Sequence, residues 1–143
     1  MELNKIVIGK KEYKLVIKTR GVEAIESKLK YHWLNGYIDY IQSMAGITNE
    51  KGEIDTTKIK DFSEIPSLKT EYRIAILYGA LQQYNSKIGY DKTIDLIDQY
   101  LDEEHTTQEL DAILISVISE HPDVKAIIRE AEKKLQEEQK EVE

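Results

Sequence analysis

The chain contains only two prolines, Pro66 and Pro122, and the stretch between them is divided by capping and turn residues into three helical blocks. Proline cannot sit in a helix interior and disfavours helical geometry in the residue before it, so both positions act as borders. Pro66-Ser67 opens the first block, which is predicted to run to about Tyr84 with Ile74, Leu77, Tyr78 and Leu81 on its apolar side, and Asn85 through Gly89 stop it. The second opens at Asp91, a good N-cap residue, and turns Ile94, Ile97 and Leu101 inward. The third begins with Thr106-Thr107-Gln108-Glu109, a capping box in which the threonine hydroxyl and the glutamate carboxylate each satisfy a free backbone N–H. Leu110, Ile113, Leu114, Val117 and Ile118 then give the cleanest amphipathic pattern in the chain, and His121-Pro122 closes it.

Alternation dominates the N-terminal side. Residues 3–8 and 13–18 read as two strands of a β-hairpin, with Gly9-Lys10-Lys11-Glu12 supplying the turn. β-Branched residues fall on both faces, so one side is expected to be covered by a helix. A helix follows from Thr19 or Arg20, with Val22, Ile25 and Leu29 recurring at helical spacing. Trp33, Tyr37, Tyr40, Ile41 and Met44 then form one aromatic stripe, which Asn35-Gly36 interrupts with a kink or turn. Periodicity fades from residue 46 to 66, where Asn49-Glu50-Lys51-Gly52 marks a turn, and this loop is expected to be mobile. The last helix starts near Asp123 and carries Val124, Ile127, Ile128, Ala131 and Leu135 before a charged, fraying end.

The expected fold is therefore mainly α, a hairpin followed by five to six helices, or α+β by strict count. All 143 residues form one domain: hairpin 3–18, helices 19–45, loop 46–66, a three-helix core 67–120 and a C-terminal helix 123–143. A chain of this length can bury enough surface to fold without cross-links. It has no cysteine, which removes disulfides, thiolate zinc sites and thiol nucleophiles. No run approaches the ~18 apolar residues of a membrane span, and the opening residues do not form a signal peptide. The net charge of −7 opposes nucleic-acid binding, which depends on Lys and Arg displacing counterions from phosphates. The charge is uneven: residues 1–30 hold eight cations against four acids, leaving −11 on the rest. The basic hairpin reads as a solvated surface, with an acidic partner as the sharper alternative.

Chemistry-bearing motifs are sparse. Asp95, Asp98 and Asp102 share one helix face within an acidic run that also includes Asp91, Glu103, Glu104, Glu109 and Asp111. Clustered oxygens suit a hard cation, yet the alternating calcium-loop pattern around a glycine is missing, and like charges on a helix face are ordinary at a solvated surface. His32, His105 and His121 stand singly, in loop or cap positions. There is no nucleophile elbow, phosphate loop or dinucleotide fingerprint. The residues point to no catalytic, cofactor or metal site, and to a protein that is not an enzyme.

Three blocks resemble the tail assembly chaperones of long-tailed phages and prophages of Gram-positive bacteria. These are Ile6 to Leu29 (IVIGKKEYKLVIKTRGVEAIESKL), Pro66 to Asn85 (PSLKTEYRIAILYGALQQYN) and Thr93 to Glu120 (TIDLIDQYLDEEHTTQELDAILISVISE). They occur in the family's order and cover about two thirds of the chain; the segment 46–65 is longer than the family's connection. The resemblance implies a non-catalytic protein that coats the aggregation-prone tape measure protein, keeps it in solution and recruits tail tube subunits. In many relatives a translational frameshift adds a second domain to a fraction of the molecules, and the resemblance makes this chain the short form, with tube subunits bound by it or through such a longer form. It also implies work in the cytoplasm of the bacterial host and absence from the mature virion, with self-association left open.

Such a role needs an apolar helical face for amphipathic client helices, and high net charge to keep the free molecule dispersed. Two stripes are the candidates: Trp33, Tyr37, Tyr40, Ile41 and Met44, and Val124, Ile127, Ile128 and Leu135. Against the client role stands core packing, the ordinary use of such stripes. The competing functions are a small acidic adaptor or inhibitor of a host protein and, more remotely, a metal-dependent enzyme built on Asp95, Asp98 and Asp102.

Overall fold

A computed structural model describes residues 4–45 and 67–142, apart from the side chains of Met44, Ala45, Leu135 and residues 138–142. The predicted loop at 46–66 lies outside the described residues.

The chain begins with the hairpin. Strands β1 (Lys5–Ile8) and β2 (Lys11–Lys14) pair antiparallel, with Ile6 opposite Tyr13 and Ile8 opposite Lys11. The ladder is shorter and shifted relative to the expected 3–8 and 13–18. The turn uses two residues rather than four: Gly9 (φ 59°) and Lys10 (φ 70°) both sit in the left-handed region, as a type I′ connection requires. This geometry matches the right-handed strand twist, and it lets Lys11 and Glu12 join β2. Residues 15–18 continue extended: the Leu15 N–H donates to Asn4 O at 2.7 Å and that of Val16 to Ala80 O at 3.1 Å. Ile6, Ile8, Tyr13, Leu15 and Ile17 face the core, while Val7 on the opposite side is half exposed.

Among the described residues six helices follow: α1 (Thr19–Glu26), α2 (Asn35–Ala45), α3 (Thr70–Leu81), α4 (Tyr90–Asp102), α5 (Thr107–Ser119) and α6 (Pro122–Val142). Helix α3 is the axis of the molecule. Tyr72, Arg73, Ala75, Ile76, Leu77, Gly79, Ala80 and Leu81 are all buried, so the helix is covered on every side rather than along one stripe. Helices α1, α4 and α5 pack around it. The α1 contact is the closest, because two glycines face each other. A Cβ on Gly21 would lie 2.6 Å from Gly79 O, and one on Gly79 would lie 2.7 Å from Gly21 O.

Local signals explain the helix starts. Thr106 caps α5, its hydroxyl accepting from the Glu109 N–H at 3.1 Å, as the box predicts; the Glu109 carboxylate meets His105 Nδ1 at 3.0 Å. Pro122 occupies the first position of α6, where its missing N–H costs nothing. Helix α4 starts two residues earlier than expected, with Gly89 rather than Asp91 at the N-cap and Asp91 inside the first turn, where the helix dipole favours a carboxylate. Its buried face is correspondingly Thr93, Leu96, Ile97 and Tyr100; Ile94 and Leu101 are only half-buried. Thr19 lies inside α1, and Lys18 occupies its N-cap.

One contiguous apolar core runs from Ile6 of the hairpin through α3 to Val124 at the base of α6. Within it lies an ion pair between α3 and α5. Arg73 Nε donates to Asp111 Oδ1 at 2.6 Å and Nη2 to Asp111 Oδ2 at 3.0 Å; the same Oδ2 accepts the Leu68 N–H, and Nη2 also reaches Leu68 O. Asp111 is 2% exposed, which corrects its assignment to the solvated acidic surface.

Candidate partner-binding surfaces

The aromatic stripe at 33–44 is not one helix. Trp33 lies in the turn ahead of α2, and the helix begins at Asn35. Gly36 allows this entry, since a Cβ there would come 2.5 Å from the Tyr72 ring. Trp33 is 2% exposed, its ring set edge-on to His121 with centroids 5.0 Å apart, and its carbonyl accepts from the Tyr72 hydroxyl at 2.7 Å. Burial pushes the Tyr72 phenol well above the ordinary tyrosine range.

The candidate residues accordingly divide. Trp33, Tyr37 and Val124 are built into the core and offer no face to a partner in this conformation. Tyr40 is half-buried, packed against the core, and burial raises its phenol pKa. Ile41, Ile127 and Ile128 are exposed at 43%, 48% and 37%. The side chains of Met44 and Leu135 lie outside the described residues. Ile38, passed over in the sequence, is 42% exposed and one helical turn before Ile41. Its signal was present: two isoleucines at i, i+3, with Asp39 and Gln42 each following one of them.

Two apolar surfaces result. On α2, Ile38 borders a shallow groove of about 300 Å³ lined also by Tyr31, Asn35, Asp39 and Lys69. Burial, with the Glu71 carboxylate nearby, raises the Tyr31 phenol pKa. On α6, Val124 is the last fully buried residue among the described side chains; those from Lys125 to Lys134, with Gln136 and Glu137, are exposed. Among the described side chains of this 21-residue helix, roughly 30 Å long, only those of the first turn are seated on the body. The Trp33–His121 contact places the starts of α2 and α6 at one corner.

The chain matches no protein-family model, no curated protein and no solved structure.

Elsewhere the charged residues are arranged for the surface. Asp95, Asp98 and Asp102 are exposed on α4, and among the described residues no group of three His, Cys, Asp or Glu side chains is placed to hold a metal ion. Glu103, from the same acidic run, turns back on the hairpin, its two carboxylate oxygens accepting the Gly9 N–H at 2.7 and 3.2 Å. The hairpin cations are partly tied down: Lys5 meets Glu12 at 2.8 Å and holds its carboxyl below the usual range, while Lys11 and Lys14 lie over the rings of Tyr13 and Tyr84. No helix among the described residues is long and apolar enough to cross a membrane.

Proposed function

We propose that this chain is a tail assembly chaperone that binds the tape measure protein of a long-tailed phage, keeps it dispersed and helps recruit tail tube subunits to it. Three sequence blocks resembling that family support the reading. The observation that carries it is physical: α6 leaves the core after Val124 with Ile127 and Ile128 uncovered, in a chain whose net charge is −7. An uncovered apolar helix face suits a client made of amphipathic helices, which dock through residues one turn apart. Ile38 and Ile41 give a second such face beginning at the same corner. Like charges over the rest of the molecule hinder aggregation while these faces are free. The action is binding without a chemical step, and its place is the host cytoplasm, before the virion is complete. Tube recruitment belongs to this chain or to a frameshifted longer form.

Co-expression with the tape measure protein encoded beside it tests the reading. The expected result is a dispersed client that co-purifies with this chain. A client that stays insoluble and fails to co-purify overturns it.

The exposed aspartates of α4 favour a second reading, an acidic adaptor or inhibitor that engages a basic surface on a host protein. Under that reading Asp95→Asn with Asp98→Asn abolishes host-protein capture, and the isoleucine variants do not.

A further inference from the structure

We propose that the outer edge of β2 is a strand-addition site, on which an extended, acidic segment of another protein lies as a third strand beside the hairpin. The ladder fixes which main-chain groups are available. Residues of an antiparallel strand alternate between bonding to the neighbouring strand and pointing away from it. The Leu15 N–H bonds to Asn4 O, so the pairs that exchange hydrogen bonds are Asn4 with Leu15, Ile6 with Tyr13 and Ile8 with Lys11. Glu12 and Lys14, both exposed, therefore turn their N–H and C=O groups outward, and neither makes a further backbone bond among the described residues. At the next outward position the Val16 N–H is taken by Ala80 O, so the open edge ends where α3 meets it.

These groups select the class of occupant. Two N–H and two C=O groups at strand spacing are matched by an extended main chain, whereas a helix keeps its own main-chain groups for itself. Charge then selects among extended segments. Residues 4–18 carry five lysines and one glutamate, in a chain whose net charge is −7. Glu12 is held by Lys5 at 2.8 Å, and Glu103, brought in from α4, is bonded to the Gly9 N–H. The Lys14 ammonium lies 5.8 Å from the centre of the Tyr84 ring and meets no carboxylate at ion-pair distance among the described residues. Lysines on an edge strand deter pairing with a second copy, whose hairpin would bring the same excess of positive charge. An acidic strand brings the opposite sign.

A hollow of about 320 Å³ beside this edge, lined in part by Lys5, Glu12, Lys14, Leu15, Val16 and Tyr84, sets the register. In strand addition the main chain supplies affinity, and a pocket for one side chain supplies specificity. Tyr84 is 58% exposed and offers a ring wall next to the Lys14 ammonium. The hollow thus suits a glutamate of the added strand, with its methylenes against the ring and its carboxylate on Lys14.

The site uses none of Ile38, Ile41, Ile127 or Ile128 and is tested without the client, so its result is separate from that of the co-purification. The full chain is titrated into a short fluorescent peptide alternating glutamate and valine, and binding is followed by anisotropy. The expected result is saturable binding that raised salt weakens and that the matching lysine–valine peptide does not show. Lys14→Glu and Tyr84→Ala, both at exposed positions, each weaken it about tenfold with an unchanged circular dichroism spectrum. Peptides N-methylated at alternate residues probe the main chain with the protein untouched. Methylation in one phase abolishes binding, and in the other phase, where the N–H groups face away from β2, binding is kept. Ile127→Ser with Ile128→Ser leaves it unchanged. Absence of binding, equal binding of the lysine–valine peptide, indifference to both methylation phases, displacement of the peptide by a single-stranded oligonucleotide, or a dimer that Lys14→Glu dissolves overturns the inference.

Discussion

Arg73 and Asp111 hold each other through two parallel hydrogen bonds, 2.6 and 3.0 Å long, in the middle of an otherwise apolar contact between α3 and α5. Their side chains are 10% and 3% exposed. Asp111 also takes the Leu68 N–H, so the pair fixes the chain just ahead of α3 as well as the helix crossing. Asp111→Ala leaves a guanidinium buried without its counter-ion and is expected to lower stability by about 3–5 kcal/mol. Urea denaturation measures it. Replacing both partners by apolar residues, Arg73→Met with Asp111→Leu, is expected to recover most of that loss, because desolvation offsets much of the pair's attraction.

Gly79 is a second sensitive point. Alanine has the higher helix propensity by about 1 kcal/mol, so helix formation alone would favour Gly79→Ala. The added methyl meets Gly21 O and the Ile25 side chain, and backbone on the α1 side has nowhere to move. Overpacking of this kind costs about 1–3 kcal/mol. A net loss is expected, read as a lower urea midpoint with an unchanged slope.

Tyr72 makes the fold sensitive to alkali. Its phenol is neutral in the folded state, donating to Trp33 O, and burial raises its pKa above the unfolded value. The folded protein therefore holds this proton at a pH where the unfolded chain releases it. The corresponding stabilisation is complete below the ordinary tyrosine pKa of about 10 and declines as pH rises beyond it. Equilibrium unfolding followed by Trp33 fluorescence is expected to show falling stability above that point. Tyr72→Phe is expected to be less stable at neutral pH by about 1 kcal/mol, the net contribution of one hydrogen bond, and to lose its share of the alkaline decline.

Removing the exposed isoleucines separates stability from binding. Ile38→Ser with Ile41→Ser, and Ile127→Ser with Ile128→Ser, change side chains that the core does not use. Each pair is expected to shift unfolding free energy by no more than about 1 kcal/mol, since single surface changes stay near 0.5. Recovery of client in the co-expression assay is expected to fall for both pairs.

Periodicity and capping carried the fold because they are local. The Thr106–Glu109 box, the proline borders and the glycine turn each place a helix end or a strand reversal from a few neighbouring residues. The α3 surroundings were not legible in the same way. Nothing near Arg73 or Asp111 in the chain says that they meet, and Asp111 looked like one more member of an acidic run. Gly21 and Gly79 carry no pattern at all until the helices are brought together. Among the candidate surface residues, Ile41, Ile127 and Ile128 were found by spacing. Trp33, Tyr37 and Val124 came with the same spacing but are buried, because a stripe shows which side of a helix is apolar and not how far its neighbour extends.

The hydrogen bond from the Gly9 N–H to the Glu103 carboxylate spans 94 residues of chain. A ribosome adding about 5–20 residues per second needs about 5–20 s to supply that carboxylate after the turn has been made. Throughout that interval the hairpin has no α4 to rest on, and two short strands alone are at best marginally stable in water. The tip of the hairpin is thus pinned only after 94 further residues have been joined to it.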